Sequence, residues 1–110
     1  MLSHVFVGTN DLARAEAFYA PIFTLLGWRL RFSEAADGWM GWQPTDAARP
    51  LFIVGRPYDR APASPANGGM IALLSPDRPT VDEVFALALR SGGRNEGEPG
   101  LRPHYHANYY

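Results

Sequence analysis

No cysteine occurs anywhere in the 110 residues. Disulfides, thiolate zinc centres and a cysteine nucleophile are therefore excluded, and a reducing compartment fits. Lysine is also absent: all ten basic residues are arginine. A Schiff base or a lysine general base is thus unavailable. Neither sign of charge is in excess, because ten arginines against 11 acidic residues leave a net charge of −1. Binding nucleic acid takes a basic face, and binding anionic lipid takes a polybasic patch. The expected partners accordingly include no nucleic acid and no membrane. Long apolar runs are missing too, far short of a membrane span. The opening Met1-Leu2-Ser3-His4 has the wrong flanks for a signal peptide. A cytoplasmic location is expected. Phosphate-binding Gly-Lys-Ser/Thr loops, Gly-x-Ser-x-Gly and His-Glu-x-x-His are absent as well.

What remains is an ordinary globular mix, 46% hydrophobic and 19% charged, of a length suited to a single domain. His4 to Val7 is β-branched and aromatic and reads as a strand. From Asp11 to Leu26 the apolar residues Leu12, Ala15, Phe18, Tyr19, Ile22, Leu25 and Leu26 recur in steps of three and four, which marks one face of a helix. Asp11 suits its N-cap and Gly27 its exit. Pro21, which lacks an N–H, predicts a bend or a break. Trp28 to Phe32 alternates as a half-buried strand does. Trp39 to Gln43 and Leu51 to Val54 are two further strands. Trp39 and Trp42 are an odd number apart, so one strand cannot aim both the same way.

Residues 57 to 69, rich in Pro, Ala, Asn and Gly, read as a connection. Met70 to Leu74 predicts another buried strand. Thr80-x-x-Glu83 has the form of a capping box opening a second helix, which Gly92-Gly93 stops. Glu96 to Pro103 reads as a loop, and His104 to Tyr110 as an extended aromatic segment.

The halves correspond. His4 and Met70, Asp11 and Asp77, and Gly27 and Gly93 are each 66 apart (70 − 4, 77 − 11, 93 − 27), which points to an internal duplication. The last strand of the first half, carried forward by the same offset, falls beyond Tyr110. The expected organisation is one domain over 1–110, with a module at 1–66 and an incomplete second module at 67–110.

The run His4-Val5-Phe6-Val7-Gly8-x-x-Asp11-Leu12-x-Arg14-Ala15-x-x-Phe18-Tyr19, with Leu25-Leu26-Gly27-Trp28 after it, resembles the first module of vicinal-oxygen-chelate proteins. Gly55-Arg56-Pro57 and Pro99-Gly100-Leu101-Arg102-Pro103-His104-Tyr105-His106-x-Asn108-Tyr109-Tyr110 resemble a glyoxalase-like branch of that superfamily. The resemblance implies an α+β fold of two βαβββ modules around a shared cleft, the glyoxalase/bleomycin-resistance fold, here with the second module truncated at its C-terminus. It also implies a divalent metal on four ligands in the metal-dependent relatives. His4 matches the first ligand position. The second falls within Leu51 to Val54, which offers no donor, and the third is Met70, a poor partner for a hard ion.

The expected function is therefore a metal-free binder of a small organic molecule, similar to bleomycin-resistance proteins, in an aromatic and histidine-lined cleft. Its expected binding residues are His4, Phe52, Arg56, Met70, His104, His106 and Tyr110. His104 and His106, two apart, would share one face of a strand, and Arg56 would clamp a carboxylate. The alternatives are a metal-dependent lyase or isomerase resembling lactoylglutathione lyase, with His4 as a metal ligand, or a truncated module without activity. No cofactor is expected for the chain as it stands; a metal would need ligands from a longer chain or a partner. A sheet lacking a strand exposes unpaired backbone. A homodimer burying Tyr105 to Tyr110, or the sheet edge beside them, is the expected assembly.

Overall fold

The computed structural model describes all residues from Met1 to Tyr110. Six elements follow one another: β1 (His4–Gly8), α1 (Leu12–Leu25), β2 (Trp28–Glu34), β3 (Trp39–Pro44), β4 (Leu51–Gly55) and α2 (Arg78–Arg90). The architecture is α+β, with one mixed sheet in the order β1-β4-β3-β2. β1 runs parallel to β4, His4 facing Leu51 and Phe6 facing Ile53. The other pairs are antiparallel. A parallel pair needs a long crossover, and α1 with the β2–β3 hairpin supplies it.

The period of two sorts each strand's residues. Val5, Val7, Phe52, Val54, Met40 and Trp42 look toward α1, where Phe23 fills the centre of the core. Its ring lies 5.1 Å from Trp42, 4.9 Å from Phe52 and 5.1 Å from Trp28. The odd spacing of the tryptophans separates them. Trp42 is buried, whereas Trp39 rests edge-on against Phe32, 5.0 Å away. The register of β2 on β3 shifts between Leu30 and Phe32, which places Phe32 over Gly41.

Both helices open on an aspartate. Asp11 Oδ1 accepts the Arg14 N–H at 3.0 Å, and Asp77 Oδ1 accepts the Thr80 N–H at 2.8 Å. The donors are 66 apart (80 − 14), as the acceptors are. The second cap differs from the sequence expectation: α2 begins at Arg78, ahead of Thr80, because Asp77 is the stronger cap and Pro79 suits the first turn. Hydrogen bonds from Thr80, its hydroxyl first and its backbone N–H second, hold the Asp77 carboxyl below its ordinary pKa. A depressed pKa contributes stability above the ordinary carboxylate value, and that contribution disappears as pH falls through the lowered one. In an acid titration followed by far-UV circular dichroism, Asp77→Asn, which keeps an acceptor, is expected to shed less helix signal than the parent. Identical acid limbs would show that this cap titrates without consequence. α1 runs through Pro21 without a break, and Gly27 ends it at φ +79°, a conformation that glycine adopts without steric cost.

The second half departs further from expectation. Met70 to Leu74 forms no strand, and Met70 and Leu74 are 88% and 93% exposed. The first half supplies the reason. β1 takes its one sheet partner from β4, 47 residues on (51 − 4). No strand of the sheet takes the corresponding place beside Met70 to Leu74. Strand-forming composition without a partner leaves the backbone to water. His104 to Tyr110 is not extended either; it folds into turns, with Tyr105 N–H bonded to Arg102 O and Tyr109 N–H to His106 O. The Arg102 guanidinium holds the preceding loop by donating to the carbonyls of Glu98 and Gly100. Tyr110 reaches α2, donating to Asp82 at 2.8 Å beneath Arg78. No helix is long and apolar enough to cross a membrane.

Candidate functional site

A groove of about 990 Å³ runs beside β1. Half of its lining is apolar, including Val7, Phe18, Tyr19, Phe52, Met70 and Leu73, and the polar part includes Asn10, Asp11, Arg14 and Ser91. The segment from Ala63 to Leu73 forms the outer wall, and Ser91 to Gly93, at the exit of α2, closes one end. The outer wall is fastened at one point. The Asn10 side-chain amide donates to Ala63 O at 3.0 Å and accepts the Ala63 N–H at 2.6 Å, so one side chain imitates a strand pairing. Gly93 lets α2 approach α1, since a Cβ there would lie 3.1 Å from the Phe18 ring.

Tyr19 joins core and groove. Its ring packs 5.2 Å from Phe52 and 6.0 Å from Phe23, and burial raises the pKa of its phenol. The hydroxyl therefore stays protonated across the physiological range and makes no hydrogen bond within the chain. At the mouth, Arg14 carries a guanidinium with no ion pair. The groove thus combines aromatic side chains, a neutral donor, a cation and the Asp11 carboxylate.

The residues singled out from sequence are distributed unevenly over this geometry. Phe52 and Met70 line the groove. His4 is exposed on the face of the sheet opposite Val5, its Nδ1 3.3 Å from Ser3 Oγ. Arg56 lies beyond β4, its stem covering Gly38. Tyr110 borders a smaller hollow on α2 with Val81 and Phe85. His104 and His106 sit in exposed turns, each against a tyrosine: Tyr105 at 4.3 Å and Tyr109 at 5.5 Å. The structure does not bring these two histidines to Phe52 or Met70, because the same-face rule for residues two apart holds only in a strand. Phe18 and Tyr19, which from sequence read as helix core, are the groove residues that reasoning missed. Their helical spacing signals burial but not which neighbour is absent.

No family profile matches the sequence, and no curated protein does. Among solved structures the chain is similar to a glyoxalase/bleomycin resistance protein from Albidiferax ferrireducens T118. The TM-score is 0.83 and the identity 25%, over 97% of this chain and 83% of that one. The chain is a vicinal-oxygen-chelate domain of the glyoxalase/bleomycin-resistance type. Within this vicinal-oxygen-chelate domain the donors do not suit a divalent ion. His4 shares its face of the sheet with Leu51 and Ile53 of β4, neither of which can ligate. No three His, Asp or Glu side chains gather anywhere in the fold.

Proposed function

We propose that the chain binds a small, largely apolar organic molecule in the groove beside β1, without a metal. One observation carries this reading: a groove of about 990 Å³, with Phe18, Tyr19 and Phe52 in its lining, includes the half-buried Tyr19, whose hydroxyl is open to solvent and has no partner in the chain. Ligand sites have this make-up, apolar walls with few polar groups to orient the guest. The Tyr19 O–H would donate to a carbonyl, ether or carboxylate oxygen of the guest. The equal offsets of the two aspartate caps support the further reading that residues 67 to 110 are the counterpart of the first module. No observation favours the lyase alternative over binding.

The test is a thermal-shift screen of small aromatic and aliphatic compounds on protein treated with a chelator. Ser91→Trp, which fills one end of the groove from the C-cap of α2, is expected to weaken every hit by at least about tenfold, equivalent to about 1.4 kcal/mol. Hits that bind this variant as tightly as the parent lie elsewhere and contradict the proposal.

A further inference from the structure

The asparagines of the chain are not held alike. The Asn10 amide is tied through both of its polar atoms to Ala63. The Asn95 amide is tied as firmly, accepting the Gly97 N–H and donating to the Glu98 carboxylate, each at 2.8 Å. Asn108 precedes Tyr109, whose N–H donates to His106 O at 3.1 Å. Asn67 has none of these restraints. It sits with Gly68 at the tip of an exposed turn, which the Gly69 N–H closes on Ala66 O at 2.8 Å. The Asn67 amide is exposed and bonded to no other residue, and the Gly68 N–H meets no partner in the chain. Gly68 holds φ +87°, and no atom lies within 4 Å of the place its Cβ would take.

We infer that Asn67-Gly68 is a site of uncatalysed covalent modification, where asparagine converts to isoaspartate and aspartate. The short asparagine side chain reaches the backbone beside it, and a glycine leaves room for that approach. The Gly68 nitrogen gives its proton to solvent base and bonds to Asn67 Cγ. The Cγ–Nδ2 bond breaks, and ammonia leaves with a proton from water. The product is a five-membered succinimide. Water then adds to one of its two carbonyls, and the ring C–N bond at that carbon breaks. Opening at the Asn67 backbone carbonyl gives isoaspartate, and opening at Cγ gives aspartate. In sum one water is consumed and one ammonia released. Asp37-Gly38 is the contrast within the same chain. It also has the glycine, but the Gly38 N–H is shared between Glu34 O at 2.9 Å and Ala35 O at 3.1 Å. Attack there must first break those bonds, at a cost in free energy. The modification bears on the groove wall. Ala66 and Gly69 both line it. Isoaspartate inserts a methylene into the backbone between them, and either product adds a negative charge to a chain of net charge −1. Because it rests on the turn, the inference stands whether or not the groove takes a ligand.

Incubation of the folded chain in mildly alkaline water enriched in heavy oxygen, followed by peptide mass mapping, tests the inference. Digestion in ordinary water afterwards adds no label. The peptide carrying Asn67 is expected to give way to products that hold one heavy oxygen in place of the amide NH. The larger share should resist a protease that cuts before aspartate, as isoaspartate does. A synthetic peptide of residues 62 to 73 is expected to convert at a similar rate. Asn10, Asn95, Asn108 and Asp37 should stay unlabelled over the same period. Asn67→Gln, an exposed change, is expected to keep its circular dichroism and to lose the conversion. Three results would overturn the inference. One is an Asn67 that stays intact in the folded chain while the peptide converts. Another is label entering Asn108 or Asp37 ahead of Asn67. The third is conversion to aspartate alone, the mark of direct amide hydrolysis without the ring.

Discussion

Phe23→Ala is expected to remove about 3–5 kcal/mol of stability, the range for deleting a buried aromatic ring. Phe23 is fully buried, and three aromatic rings surround it within 5.1 Å. Trp28, Trp42 and Phe52 come from three different strands, so none can close the cavity without moving its own ladder. A domain of this size has a total stability of about 5–15 kcal/mol. At the low end of that range, much of the variant would be unfolded. Urea denaturation followed by tryptophan fluorescence would show a lower midpoint at unchanged slope. A loss below about 1 kcal/mol would mean that the core is centred elsewhere.

The second large effect concerns two glycines that cross-strand aromatics lean on. A Cβ at Gly55 would lie 2.6 Å from Trp39 Cβ and 2.9 Å from Gly38 O. That carbonyl is fixed, because it accepts the Arg56 N–H at 2.9 Å. Gly55→Ala must therefore shift backbone, at an overpacking cost of about 1–3 kcal/mol. At Gly41 the nearest obstacle to a Cβ is the edge of the Phe32 ring, at 2.5 Å, and a ring can turn. Gly41→Ala is expected to cost less, and adding Phe32→Leu should recover most of that loss. Thermal melts of the three variants give the order. Gly41→Ala as the more damaging change, or no recovery with Phe32→Leu, would contradict this account of the sheet.

The first half of the chain was legible because its signals are local. The three-and-four spacing of Phe18, Ile22 and Leu25, the alternation around Trp28, and aspartate before each helix depend on near neighbours alone. The repeat offset even lands on both cap hydrogen bonds. The second half was not legible in the same way because a strand exists only when paired. Met70 to Leu74 has the composition of β1 but no counterpart of β4 to bond with. His104 to Tyr110 reads as extended, yet local backbone bonds, from Tyr105 N–H to Arg102 O and from Tyr109 N–H to His106 O, fold the segment into turns. The groove escaped sequence reasoning for a related reason. Phe18 and Tyr19 carry the signature of core residues, and only the course of the segment from Ala63 to Leu73 shows that part of their surface faces open space. His4 and the His104/His106 pair attracted attention by chemistry, but residue type carries no information on which residues meet.

The most direct test of the binding account is a heteronuclear NMR titration. Chelator-treated protein would be titrated with the tightest small-molecule hit, and the shifts mapped onto the chain. The account predicts saturable shifts concentrated at Val7, Phe18, Tyr19, Phe52 and Ser91, unchanged when zinc or nickel is added. Shifts centred instead on His4, His104 and His106, or binding that appears only with added metal, would contradict it.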